Sequence, residues 1–176
     1  MCDICDGTTD DHLAARTRGH IESMGWALQG VEPDAGGPGW VYSIGLLTSY
    51  DHPELLVVDD DVARGASLLN ALGRSIRDGA IIEPGDELDL GGCEAELIDI
   101  HPAHLRGGLM AMWDVAGHHG PDGEPLELEA YQVLVPGPMP DGDRLPDVRL
   151  DGPGPALSGA APNRAARRAG ARRRRR

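Results

Sequence analysis

The 176-residue chain carries 29 Asp and Glu against 16 Arg and has no Lys, which sets its formal net charge at −13. Twenty-five Gly and 14 Pro demand many turns, while Phe is absent and the aromatics are three Trp and three Tyr. This composition excludes a collagen, a coiled coil and a disulfide mini-protein. No apolar run approaches the ~20 residues of a membrane span, and the acidic opening MCDICDGTTDD is the reverse of a leader peptide, so a cytoplasmic protein of one domain is expected.

A first helix is signalled by Thr8 and Asp11 at capping-box spacing and by Leu13, His20, Ile21 and Met24 on one face, up to Gly25. A short strand, Trp26 to Val31, precedes the turn EPDAGGPG. Trp40 to Leu47 (WVYSIGLL) then reads as a buried strand, giving an antiparallel hairpin. A turn through Ser49–Glu54 leads into a core strand over Leu55–Val58. Asp59, Asp60 and Asp61 supply an N-cap and favourable charge for a second helix carrying Val62, Ala66, Leu69, Leu72 and Ile76, ended by Gly79. The rest reads as strands over Ala80–Ile82, Glu87–Leu90, Cys93–Ile100 and Leu128–Val135, with a helical turn over Leu109–Ala116. Helices mixed with hairpin-linked strands predict an α+β fold, two main helices packing on an antiparallel or mixed sheet.

Charge divides unevenly along the chain. Residues 1–150 hold 28 acids and 8 Arg, a balance of −20, whereas residues 151–176 hold one Asp and 8 Arg, a balance of +7. The terminal stretch is Pro, Gly, Ala and Arg without hydrophobic periodicity, so disorder is expected there. The domain is assigned to residues 1–147 and the tail to 148–176. An arginine run can bind nucleic acid by counterion release, but the acidic body repels phosphate and no basic stripe is interleaved with aromatics. The tail is therefore expected to stay solvated and to fold back electrostatically on its own acidic body, with nucleic-acid contact, through the tail alone, as the alternative.

Several motifs in order carry a family resemblance. The N-terminal M-C-x-x-C-D, the Gly25-Trp26 pair after the first helix, W-x-Y-S-I-G-L from Trp40 and H-P-E-L from His52 resemble the DUF4262 family, a domain of unknown function common in bacteria. Leu68-Leu69-Asn70 and Tyr131-Gln132-Val133 fit the same pattern, and the likeness runs over about residues 1–147. The resemblance implies a fold rather than an activity. Relatives close with an aromatic-Pro-Trp segment after an Asp-Gly turn; here the stretch is Asp141-Gly142-Asp143-Arg144-Leu145-Pro146-Asp147, without that Trp. A high-GC actinobacterial source suits the absence of Lys and the wealth of Arg, Ala and Gly.

Cys2 and Cys5 form a C-x-x-C pair, whose two thiolates could grip one zinc ion. Two more ligands would be needed, and Cys93 with His12 or His20 could supply them if the fold brings them together. The same spacing suits a redox dithiol, or a pair with no ligand. The seven histidines, among them His101-x-x-His104 across Pro102 and His118-His119 in a Gly/Pro loop, read as solvated loop residues. His52-Pro53-Glu54 could act as a proton-transfer pair near the Tyr42 hydroxyl and Ser43, or Pro53 could simply fix the turn. No G-x-S-x-G elbow surrounds Ser43, no phosphate-binding glycine motif occurs, and without Lys neither Schiff-base nor Walker-type chemistry is available.

Three functions are compatible with these residues. A non-catalytic binding module, its acidic body matched to a basic protein partner, is the leading one. A small hydrolase-type enzyme, metal-assisted or not and centred on Tyr42, His52 and Glu54, is the second. A nucleic-acid-associated protein acting through its arginines is the third.

Overall fold

The computed structural model describes residues 10–35, 37–106, 109–116, 118, 124–138 and 145–153. Along the described chain run α1 (Asp10–Met24), β1 (Ala27–Val31), β2 (Trp40–Ile44), α2 (Leu46–Tyr50), β3 (Glu54–Val58), α3 (Val62–Arg77), β4 (Glu87–Asp89), β5 (Glu94–Asp99), α4 (Pro102–Arg106), α5 (Ala111–Ala116) and β6 (Ala130–Leu134). The strands form one six-stranded sheet in the order β1-β2-β3-β6-β5-β4. Every neighbouring pair is antiparallel except β3 and β6, which are parallel. This is the expected α+β architecture. No described helix is long and apolar enough to cross a membrane.

Strand alternation sorts side chains onto two cores. Val41, Leu55, Val57, Leu97 and Val133 face α3, which covers them with Leu68, Leu69, Leu72 and Ile76. Trp40, Tyr42, Leu56 and Val58 face the opposite way, under Leu13 of α1 and Met112 and Trp113 of α5. β2 and β3 are therefore buried on both sides, which explains why they are apolar apart from Ser43 and Glu54.

Local signals account for most boundaries. Asp61 caps α3 by accepting from the N–H groups of Ala63 (3.0 Å) and Arg64 (3.1 Å). Its neighbours in the acidic run do other work: Asp59 is fully buried and held by the Arg64 guanidinium at 2.8 and 2.7 Å, and Asp60 accepts from the Gly39 N–H. In α1 the expected apolar face holds at Leu13 and Ile21, but His20 is exposed and Met24 is 54% exposed. Periodicity sets a face, but tertiary packing sets how much of it is covered, and the last turn of α1 runs out beyond its cover.

Three other expectations are corrected. The strand drawn from Trp40 to Leu47 ends at Ile44, and Leu46–Tyr50 turns into α2 instead. No strand forms over Ala80–Ile82, where Ile81 is 82% exposed and the Ile82 carbonyl is taken by a side chain. A helix, α4, begins at Pro102 where loop residues were expected; proline suits a first helical position because its missing N–H would have no partner there.

The packed chain also continues past the expected boundary at residue 147. Leu150 is buried, and the Gln132 side chain clamps its segment by donating to the Val148 carbonyl (2.6 Å) and accepting from the Leu150 N–H (2.8 Å). Residues 154–176, which contain the arginine run, lie outside the described residues, as do Thr8 and the first helix's expected cap.

Candidate functional site

Glu54 begins β3 at complete burial, and four donors converge on its carboxylate. Ser43 Oγ donates to Oε2 at 2.6 Å, and the backbone N–H groups of Gly45 (2.7 Å), Leu46 (3.2 Å) and Leu47 (3.3 Å) complete the set. Those N–H groups are the unsatisfied start of α2, so Glu54 caps a helix from a neighbouring strand. Ser43 Oγ in turn accepts from the Leu55 N–H at 2.8 Å, tying β2 to β3. Burial pushes the Glu54 carboxyl above the usual carboxylate range, opposed by the Ser43 hydroxyl and the three N–H groups.

His52 and Tyr42 are engaged separately. Both His52 ring nitrogens face backbone carbonyls, Nδ1 toward Pro53 at 2.7 Å and Nε2 toward Ile82 at 3.0 Å, while the ring packs edge-on against Tyr131. The Tyr42 hydroxyl, on the opposite core, accepts from the Met112 N–H at 3.0 Å, and burial drives it far above the normal phenol range. No hydrogen bond joins His52 to Glu54, and the three side chains spend their polar atoms mainly on the backbone.

Two concavities are open to solvent elsewhere. One of about 300 Å³ lies at the carboxyl ends of β3 and β6, lined by Val58, Glu96, Gln132, Pro136 and Arg149 among others. A wider depression of about 680 Å³ borders Met24, Gly25, Tyr50 and Arg77. Neither is lined by Tyr42, His52 or Glu54.

Metal-ligand expectations meet the same separation. Cys2 and Cys5 lie outside the described residues, and no group of three or more His, Cys, Asp or Glu suited to a metal occurs among the described ones. Cys93, which precedes β5, is buried near the β4 edge of the sheet, whereas His12 and His20 ride on α1, which packs at the β1 edge. Burial, and then the nearby Asp89 carboxylate, push the Cys93 thiol up.

Three of the histidines are less solvated than expected. His52 and His104 are buried, the latter against the Gly152 carbonyl at 2.9 Å, and His118 is buried and stacked on Trp113 with ring centres 4.5 Å apart. Two of them are contacted from distant chain segments, His52 by Tyr131 and Ile82 and His104 by Gly152, which a local reading of loops does not see.

The β4–β5 ribbon gathers acidic residues that no local sequence motif marks. Residues 83–99 hold seven carboxylates and no Arg. The register sets Glu87 directly opposite Glu96 and Asp89 directly opposite Glu94. Like charges facing each other across strands cost stability, by up to about 1 kcal/mol per pair. Six of the seven are exposed and Glu96 is half-buried. Asp86 and Asp89 each accept one turn N–H, from Glu83 and Gly92. Arg149 borders the same concavity as Glu96, but its guanidinium is held by Asp151 at 2.9 and 3.2 Å.

The family model described as domain of unknown function (DUF4262) matches residues 20–139, from the last turns of α1 to just beyond β6. The chain belongs to the DUF4262 family. No curated protein and no solved structure matches it. The DUF4262 match takes in the Glu54 cap, His52, Tyr42 and the acidic ribbon. Cys2, Cys5 and the arginine run fall outside it.

Proposed function

We propose that this DUF4262 domain is a non-catalytic cytoplasmic binding module whose acidic β4–β5 ribbon receives a basic segment of another protein. The observation that carries this reading is the facing of Glu87 by Glu96 and of Asp89 by Glu94. Folding gains nothing from such pairs, and cationic side chains laid between them relieve the repulsion. The engagement of Tyr42, His52 and Glu54 with backbone groups supports binding over proton-transfer chemistry.

The test uses a fluorescent octa-arginine peptide as probe, with anisotropy as the readout. Neutralising the ribbon (Glu87→Gln, Asp89→Asn, Glu94→Gln and Glu96→Gln together) is expected to weaken binding about tenfold or more at low salt. A control removing the same number of charges elsewhere (Asp11→Asn, Glu22→Gln, Glu32→Gln and Asp114→Asn) should change it by less than about threefold. The neutralised ribbon should also unfold no more readily than the native chain, since the repulsion is relieved and an asparagine oxygen at position 89 still accepts from the Gly92 N–H. Equal losses from both variants would show that net charge, and no particular surface, attracts the probe, and the proposal would fail.

A further inference from the structure

We infer that the chain's own arginine segment, residues 164–176, docks on the β4–β5 ribbon and screens it from basic partners. This rests on the ribbon being the binding surface. Three observations point to that occupant.

The first is an unpartnered edge. β4 closes the strand order, so its outer side pairs with no described strand, and it is only three residues long. An edge left open in this way is a template for another chain segment. Ile81, 82% exposed on the loop before β4, adds an apolar contact beside the carboxylates.

The second is complementarity of charge. Residues 83–99 carry seven carboxylates and no Arg, while residues 164–176 carry eight Arg and no acid. Arginine's planar fork suits carboxylates presented in facing pairs, because one guanidinium can bridge two of them.

The third is where the packed chain ends. The His101 N–H donates to the Leu150 carbonyl at 2.8 Å and His104 Nε2 contacts the Gly152 carbonyl at 2.9 Å, which fixes residues 150–152 just past the end of β5. β5 runs for six residues, a length of about 20 Å. Arg164 lies eleven positions beyond Pro153, a stretch that spans at most about 40 Å. The arginines can therefore reach every part of the ribbon. A tethered segment also competes at an effective concentration that a separate partner has to exceed.

The full chain is compared with one in which all eight arginines of residues 164–176 are replaced by serine. In low salt, amide chemical shifts over residues 83–99 should differ between the two chains, and the difference should vanish at high salt and stay constant on dilution. Octa-arginine should bind the serine-tailed chain about tenfold more tightly. Unchanged shifts over 83–99, or differences confined to other residues, overturn the docking. A difference that fades on dilution assigns the contact to a second copy and likewise overturns it. The serine-tailed chain separates the two readings: if it binds the probe no better than the ribbon-neutralised chain does, the proposed binding surface itself is wrong.

Discussion

Replacing Glu54 by alanine is expected to destabilise the fold by about 3–5 kcal/mol, read from chemical denaturation. The substitution strands the Ser43 hydroxyl and the N–H groups of Gly45, Leu46 and Leu47 around a fully buried position. It also opens a void where a fully buried side chain had been. The isosteric Glu54→Gln keeps the shape and one acceptor oxygen but turns an NH₂ toward groups that are themselves donors, so its cost should be smaller yet still above about 1 kcal/mol. A loss below about 1 kcal/mol for Glu54→Ala would mean that α2 holds its start without the carboxylate, and the capping account would fall.

The same residue yields a pH prediction whose sign is fixed by which influence wins. Burial raises the Glu54 carboxyl in the folded chain, while four donors act against it. With the folded value above the unfolded one of about 4.3, the native state holds the proton more tightly. The contribution of Glu54 is then complete at pH below about 4.3 and declines as pH rises through the folded value. The difference in unfolding free energy between the native chain and Glu54→Gln should accordingly shrink from pH 4 upward before levelling. A difference that grows over this window would show that the donors outweigh desolvation.

How far the sequence could be read depends on how local each cause is. α3 was legible because its cap, Asp61, and its stripe of Leu69, Leu72 and Ile76 lie within one segment. β3 was legible because both its faces are apolar. α2 was not, since its start is stabilised by Glu54, which lies beyond the helix in the chain, and the pattern Ile44-Gly45-Leu46-Leu47 looks like a strand until that carboxylate is placed. Tyr42, His52 and Glu54 stand close in sequence, but pleating turns Tyr42 onto one core and draws His52 toward Ile82 on the other side. Sequence proximity overstated their association. The ribbon shows the converse: its acids were counted toward net charge, but their facing across β4 and β5 depends on a register that composition does not contain.

Gly25→Ala is expected to cost about 3 kcal/mol, because two penalties meet at one atom. Gly25 follows α1 with φ at 92°, a conformation that costs an L-residue about 1–2 kcal/mol. A Cβ there would also run into the Tyr50 hydroxyl and ring, and Tyr50 is packed edge-on against the buried Trp26 at 6.4 Å. Moving Tyr50 disturbs a ring pair whose other member donates from Nε1 to Asn70 Oδ1 and packs over Gly73 of α3. The Gly25-Trp26 pair thus couples the end of α1 to α2 and α3 through one aromatic contact. Introducing Gly25→Ala into a Tyr50→Ala background removes the clash and leaves the backbone term, so the cost there should fall to about 1–2 kcal/mol. Urea titrations of the four chains measure the coupling. Equal costs of Gly25→Ala with and without the Tyr50 ring would show that backbone conformation alone requires glycine, and that the ring gives way freely.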